Sequence, residues 1–172
     1  MSRYIITGNL GIPQNVSSTV SWLREYGPVL RRCDPEMSLT LAGKNPDKTL
    51  LKEAAEFGAK VIASPPDMSV ILKEADVYIC PSDNGSGIKL RIMDGLKLGL
   101  PVVAHKMSSR GYEKCLGSSM FVYDDSSSFI EAVKAARSQS ADRDSLIDEY
   151  KATFSFKAGV ERLKAVFQDF QR

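Results

Sequence analysis

The chain has 172 residues, with 23 Lys and Arg against 21 Asp and Glu, and a formal net charge of +2. This length allows one domain with a sizeable core. The nearly balanced charge, without a basic block, argues against a nucleic-acid-binding protein. Because there are one histidine and three widely spaced cysteines, the composition predicts neither a disulfide framework nor a metal site.

No apolar run approaches the ~18 residues that a membrane-spanning helix needs. Residues 1–3 lead directly into a predicted strand, without the long apolar stretch of a signal peptide. These features predict a soluble, cytoplasmic protein with no membrane span.

Short apolar runs alternate with amphipathic stretches along the chain. Six short runs are predicted to be strands; they cover residues 4–7, 38–42, 60–63, 77–80, 102–104 and 120–123. The run over 77–80 is apolar without polar alternation, which is typical of a strand buried on both faces. Helical periodicity predicts helices over residues 16–33 (interrupted near Gly27 and Pro28), 48–57, 68–75, 88–98, 129–137, 145–154 and 156–170.

Two of these helices carry more detailed predictions. Asp47 is a candidate N-cap for the helix over 48–57, whose inward side chains are predicted to be Leu50, Leu51, Ala54 and Phe57. The last helix has an apolar stripe formed by Val160, Leu163, Val166, Phe167 and Phe170.

The alternation of strand and helix predicts a Rossmann-like, three-layer α/β/α domain. Two βαβαβ halves give a six-stranded parallel sheet in the order 3-2-1-4-5-6. We expect residues 1–172 to form a single domain, with C-terminal helices over about 141–172 closing it. A ligand is expected in the crevice at the switch point, between the loops 8–15 and 81–87 and beside the loops that begin at Lys44 and Ser64.

The segment 76–104 forms the centre of this architecture as strand, glycine loop, helix and strand. Gly85 and Gly87 can take positive φ or let a ligand approach the backbone. Ile88, Ile92 and Leu96 form an apolar stripe, which predicts that the helix begins at Ile88. Amides at such a helix start attract an anion such as phosphate, although glycines before a helix are more often plain turns.

The sequence PSDNGSGIKLRIMDGLKLGLPVV resembles the donor-site segment of family-four retaining, nucleotide-sugar-dependent glycosyltransferases. The resemblance extends over most of residues 4–136, with Arg91 in the place of the family's lysine and Asp94 in the place of its glutamate. The other motif positions are Pro81, Gly85, Ser86, Gly87, Gly99, Pro101, Val102 and Val103. It implies a two-domain enzyme in which this type of domain binds the donor and another domain, absent from this chain, binds the acceptor sugar or glycan.

The resemblance also implies roles for individual residues. Asp94 is expected to bind the ribose hydroxyls, and Arg91 to face the diphosphate. Further donor-binding candidates are the loop residues Gly8, Asn9, Lys44, Ser64, Gly85, Ser86, Gly87 and Ile88.

The chain departs from its relatives at three places. Asn9 and Asn15 stand nearest to positions where many relatives carry an arginine and a lysine. Ser86, which fits the Gly-Ser-Gly motif of one branch of the family, stands where many other relatives carry a glutamate. A Ser-Pro-Pro sequence beginning at Ser64 stands where relatives usually have a glycine-containing turn.

The implied function is donor binding for sugar transfer with retained anomeric configuration, without a cofactor or metal. No catalytic residue is assigned, and His105 is expected to be structural. Two alternatives stay open: a non-catalytic doubly wound nucleotide-binding or interaction module, in which Arg91 and Asp94 form a plain surface ion pair, and half of a nucleotide-sugar epimerase. The full enzyme could associate peripherally with a membrane.

Overall fold

The computed structural model describes residues 1–85 and 87–169. Its six strands are β1 Arg3–Asn9, β2 Ser38–Lys44, β3 Lys60–Ala63, β4 Val77–Cys80, β5 Val102–His105 and β6 Met120–Tyr123. The α-helices of the described residues are α1 Pro13–Glu25, α2 Gly27–Cys33, α3 Lys48–Phe57, α4 Met68–Lys73, α5 Arg91–Lys97, α6 Ser126–Gln139, α7 Arg143–Phe154 and α8 Phe156–Asp169.

All strand pairs are parallel, and the strand order is β3-β2-β1-β4-β5-β6. The predicted Rossmann-like topology is therefore confirmed. Tyr4 of β1 pairs with Leu39 of β2 on one side and with Val77 of β4 on the other. The chain leaves β1 and β4 toward opposite sides of the sheet, so their carboxyl ends border the switch-point crevice.

Alternate residues of the strands supply two apolar cores, one on each face of the sheet. Tyr4, Ile6 and Ile79 pack with side chains from α1, α2, α3 and α6. Ile5 and Tyr78 pack on the opposite face with side chains from α4 and α5, and α7 covers part of that core. Burial on both faces explains why the central strand β4 is a continuous apolar run, whereas the edge strand β3 begins at an exposed Lys60.

Helix α3 begins as predicted. The Asp47 carboxylate accepts a hydrogen bond of 2.7 Å from the Thr49 amide, which caps the helix. Leu50 and Ala54 are buried, but the prediction that Leu51 points inward is wrong, because it is 39% exposed. Leu51 follows Leu50 by one residue, about 100° around the helix, and so lies beyond the stripe that meets the sheet.

The last two helices differ in how they meet the domain. Arg143 in α7 donates from Nη1 to the Lys73 carbonyl over 3.2 Å and from Nη2 to the Ala75 carbonyl, and Leu146 is buried. In α8, by contrast, residues 161–168 are all exposed, with Phe167 at 62%. The apolar stripe of α8 therefore faces solvent as far as residue 168, and Phe170 lies outside the described residues. A single domain over 1–172 stays a prediction.

No helix among the described residues is long and apolar enough to cross a membrane.

Candidate functional site

The loop after β4 is longer than predicted. Helix α5 begins at Arg91, so the prediction that it begins at Ile88 is wrong, and Ile88 is 51% exposed. Gly85 and Gly87 have φ of +85° and +87°, a conformation incompatible with a helix. Their amides consequently precede the helix rather than forming its first turn. Ser86, a predicted site residue, lies outside the described residues.

The Arg91 side chain crosses the crevice between the two loops. Its Nη1 donates to Asn15 Oδ1 over 3.0 Å, and its Nη2 donates to Ser82 Oγ. At the end of β1, Gly8 has φ +153°, and a Cβ atom there would lie 2.7 Å from Nη1. The absence of a side chain at Gly8 thus leaves room for the guanidinium directly above the switch point.

Arg91 does not form the surface ion pair with Asp94 that was one interpretation of the sequence. No ion pair among residues 1–85 and 87–169 includes Arg91. Both acceptors that hold its guanidinium are neutral. The arginine is therefore held in place while its charge stays uncompensated by a direct carboxylate partner.

Asp94 faces a different space. Its exposed side chain lines a cavity of about 170 Å³ between α4 and α5, together with Met68, Ser69, Leu72, Lys97 and Leu98. One turn of α5 thus carries a cation toward the crevice and a carboxylate toward a neighbouring cavity with mixed polar and apolar walls.

A buried contact fixes α5 against the sheet. Gly95 lets the helix approach Tyr78 of β4, because a Cβ atom there would lie 3.1 Å from the tyrosine ring. The Tyr78 and Thr7 hydroxyls are hydrogen-bonded over 2.8 Å, and burial raises the pKa of Tyr78. A neutral phenol in this position links β4 to β1 directly below the crevice.

The family of glycosyl transferases group 1 matches residues 2–138, most of the chain and the whole of the crevice. The chain belongs to this family. The sequence resemblance to glycosyltransferases is confirmed at this level.

One curated relative is an uncharacterized 44.6 kDa protein in the cps region of Klebsiella pneumoniae, 28% identical over 129 residues. The match covers 70% of this chain but 33% of that relative. The glycosyltransferase domain described here therefore spans about a third of the curated relative.

Solved structures share the fold. Anabaena HepE in complex with UDP superposes with a TM-score of 0.69 at 12% identity, over 97% of this chain and 48% of that one. The catalytic domain of cholesterol-alpha-glucosyltransferase from Helicobacter pylori gives a TM-score of 0.57 at 14% identity, over 87% and 98%. At these identities the likeness concerns the fold alone.

The remaining predicted residues of this glycosyltransferase domain lie at the carboxyl ends of β1, β2 and β3. The Asn9 side chain accepts a hydrogen bond of 3.1 Å from the Gly11 amide and so helps to form the turn. Lys44 is exposed, and its carbonyl accepts from the Leu10 amide over 2.8 Å. Ser64 is also exposed, with φ +47°. Donor contacts by these residues stay predictions.

His105 has a structural role at the end of β5. Its Nδ1 accepts a hydrogen bond of 3.3 Å from the Met107 amide and caps a short 3-10 turn. Burial lowers the pKa of His105. Within residues 1–85 and 87–169, no group of three or more His, Cys, Asp or Glu side chains is arranged to hold a metal ion.

Sequence reasoning missed the roles of Asn15 and Ser82 as partners of Arg91. Both residues follow strands that border the switch point, and this position in the sequence could have identified them as site residues. A further contact that sequence reasoning missed joins α1 directly to the loop after β4: Ser18 Oγ donates to Asp83 Oδ1 over 2.6 Å. This loop is thereby held to α1 directly through Asp83 and indirectly through Ser82 and Arg91.

Proposed function

We propose that this chain is the donor-binding half of a retaining glycosyltransferase, which holds a nucleotide-sugar while its sugar is transferred to an acceptor. The observation that carries the proposal is the pair of charges on one turn of α5. Arg91 lies over the switch point and has no carboxylate partner in the part of the chain that the structure describes, and Asp94 lines the adjacent cavity. This combination suits a nucleoside diphosphate, because the cation can bind the phosphates and the carboxylate can accept hydrogen bonds from the ribose.

We assign the binding of the diphosphate to Arg91. A guanidinium has five N–H donors, and two of them are used by Asn15 and Ser82. The others are free to donate to phosphate oxygens, and charge-assisted bonds of this type are the strong ones. Backbone amides of the loop around Gly85 and Gly87 are candidates for the same anion.

We assign the binding of the ribose hydroxyls to Asp94. A carboxylate can accept hydrogen bonds from two adjacent hydroxyls at once, which suits the 2′,3′-diol. The cavity beside it has a polar side at Ser69 and Lys97 and an apolar side at Met68 and Leu72. Such mixed walls suit a sugar joined to an aromatic base. The UDP bound by HepE, which shares this fold, supports the same class of ligand.

In the reaction that we propose, the bond between the anomeric carbon and the diphosphate oxygen breaks, and the oxygen of an acceptor hydroxyl bonds to the anomeric carbon with its configuration retained. The acceptor hydroxyl releases its proton in the same reaction. The leaving diphosphate gains negative charge, which Arg91 would stabilise. No cofactor and no metal is part of this proposal. The acceptor sugar or glycan is assigned to a separate domain, so we expect this chain alone to bind the donor without transferring the sugar.

The ribose assignment is tested with Asp94→Ala and two ligands, a nucleoside diphosphate and its 2′,3′-dideoxy analogue. We expect the variant to weaken binding of the ribose form by about 1.5–3 kcal/mol, the scale of a hydrogen bond to a charged group. The dideoxy form should bind the variant and the unaltered chain alike. The measurement is isothermal titration calorimetry.

A matched control is Asp144→Ala, which removes an exposed carboxylate from the first turn of α7 just as Asp94→Ala does from α5. It should leave both affinities unchanged. Equal losses with the two ligands in Asp94→Ala would show that the diol is not its partner. Absence of binding by the unaltered chain to any nucleotide would instead favour the interaction-module alternative.

A further inference from the structure

We propose that Asn15 is a positioning residue that holds the Arg91 guanidinium across the crevice, so that one arginine presents its full charge to the diphosphate. This inference rests on the proposed function, because it concerns the same anion. Asn15 itself need not touch the ligand.

The orientation of the Asn15 amide is fixed from its other end. Its Nδ2 donates to the Asn9 carbonyl over 2.9 Å. That bond directs Oδ1 toward Arg91, whose Nη1 donates to it over 3.0 Å. An asparagine is suited to this position because one side chain must donate to the backbone and accept from the arginine together.

The opposite anchor is Ser82, in the loop after β4. Its Oγ accepts from Arg91 Nη2, and its carbonyl accepts from Ser108 Oγ over 2.6 Å. Ser82 is 3% exposed, so this anchor is buried in the protein. The guanidinium is consequently held from both loops that border the crevice.

The neutrality of the two anchors matters as much as their geometry. A carboxylate at position 15 would hold the guanidinium more strongly but would also compensate its charge. An amide holds the group in place and leaves the charge available to an anion. Substitutions at position 15 can therefore change protein stability and affinity for phosphate differently, and the two properties can be measured independently.

The variants Asn15→Ala and Asn15→Asp test the proposal. Asn15→Ala should weaken binding of a nucleoside diphosphate about tenfold, the scale of one charge-assisted hydrogen bond. Asn15→Asp should weaken it at least as much. Asn15→Asp should nevertheless leave the melting temperature nearly unchanged, because its ion pair with Arg91 and its negative charge in the first turn of α1 offset the loss of the Nδ2 bond to the Asn9 carbonyl. A purely structural role would move stability and affinity in the same direction.

The ligand is the tightest-binding of UDP, GDP and ADP, compared with its own phosphate-free nucleoside in NMR titrations. The affinity for the nucleoside should be the same in both variants as in the unaltered chain. The double variant with Arg91→Ala should lose no more diphosphate affinity than Arg91→Ala alone, because Asn15 acts through Arg91. Ser17→Ala, at an exposed position of α1, is the control and should change nothing.

Two results would contradict the proposal in distinguishable ways. Additive losses in the double variant, or equal losses of nucleoside and diphosphate, would refute the positioning role while leaving the proposed function intact. Failure of the unaltered chain to bind UDP, GDP or ADP would refute the proposed function and the positioning role with it.

Discussion

At Gly43 the first two strands approach each other more closely than any side chain would permit. A Cβ atom there would overlap the Gly8 carbonyl and lie 3.2 Å from Leu10 Cγ. Because the obstacle is backbone of β1, it cannot be relieved by rotation of a side chain. Gly8 also lies beneath the Arg91 guanidinium. The missing side chain of Gly43 thus permits the pairing of β1 with β2, and that of Gly8 leaves room at the floor of the crevice.

Gly43→Ala should therefore lower the free energy of unfolding by at least about 1–3 kcal/mol, the usual cost of overpacking. Urea denaturation measures this directly. Gly159→Ala is the matched control, since nothing lies within 4 Å of a Cβ atom at that position in α8 and alanine is the better helix former. Equal stability of Gly43→Ala and the unaltered chain would contradict the close approach of the strands.

At the scale of secondary-structure elements, α7 and α8 contribute unequally. Helix α7 buries Leu146 and is tied to the carbonyls that precede β4 through Arg143. The side chains of α8 are exposed from residue 161 to residue 168, including Leu163 at 58% and Phe167 at 62%. A helix that buries so little apolar surface can contribute little to the stability of the domain.

A chain that ends at Ser155 should consequently lose less than about 1 kcal/mol of unfolding free energy, because little apolar surface becomes exposed. Leu146→Ala in the full chain should lose about 2–5 kcal/mol, as buried leucines do. The two free energies of unfolding are compared by urea denaturation of both proteins at low protein concentration. If the truncated chain loses as much as Leu146→Ala, α8 has a packing role that its exposure does not reveal.

The strands were the elements best predicted from sequence, because burial on both faces leaves an apolar run with clear ends. The run from Val77 to Cys80 is an example. The start of α5 was not predictable from its apolar stripe, since Ile88 continues the period but follows two glycines at positive φ. Leu51 was misplaced for a related reason, because adjacent apolar residues do not show which one faces the sheet.

The position of the crevice was also predictable, whereas the contacts within it were not. Strand order alone located the crevice between β1 and β4. One of the two partners of Arg91, however, is Asn15, which is 76 residues away in the chain. No local pattern indicates that an arginine at the start of a helix turns toward a distant amide rather than toward Asp94 three residues later.

At the scale of the whole molecule, the parallel sheet brings chemically different loops to one edge. The loops after β1 and β4 supply a crevice with an uncompensated arginine, and α4 and α5 enclose a cavity lined by Asp94. Another cavity, of about 330 Å³, is lined by residues near the amino ends of β1, β2 and β3. Ligands of doubly wound sheets bind at the carboxyl ends, which favours the crevice as the functional site.

The most direct test of this account is the melting temperature of the unaltered chain with UDP, GDP and ADP, each titrated to millimolar concentration. Only the folded domain can bind the nucleotide, so binding must stabilise it. At a ligand concentration one hundred times the dissociation constant, the gain should be about 2.7 kcal/mol. We expect at least one nucleoside diphosphate to raise the melting temperature, and Arg91→Ala to reduce that rise. If none of the three nucleotides shifts the melting temperature, the chain is not a donor-binding domain.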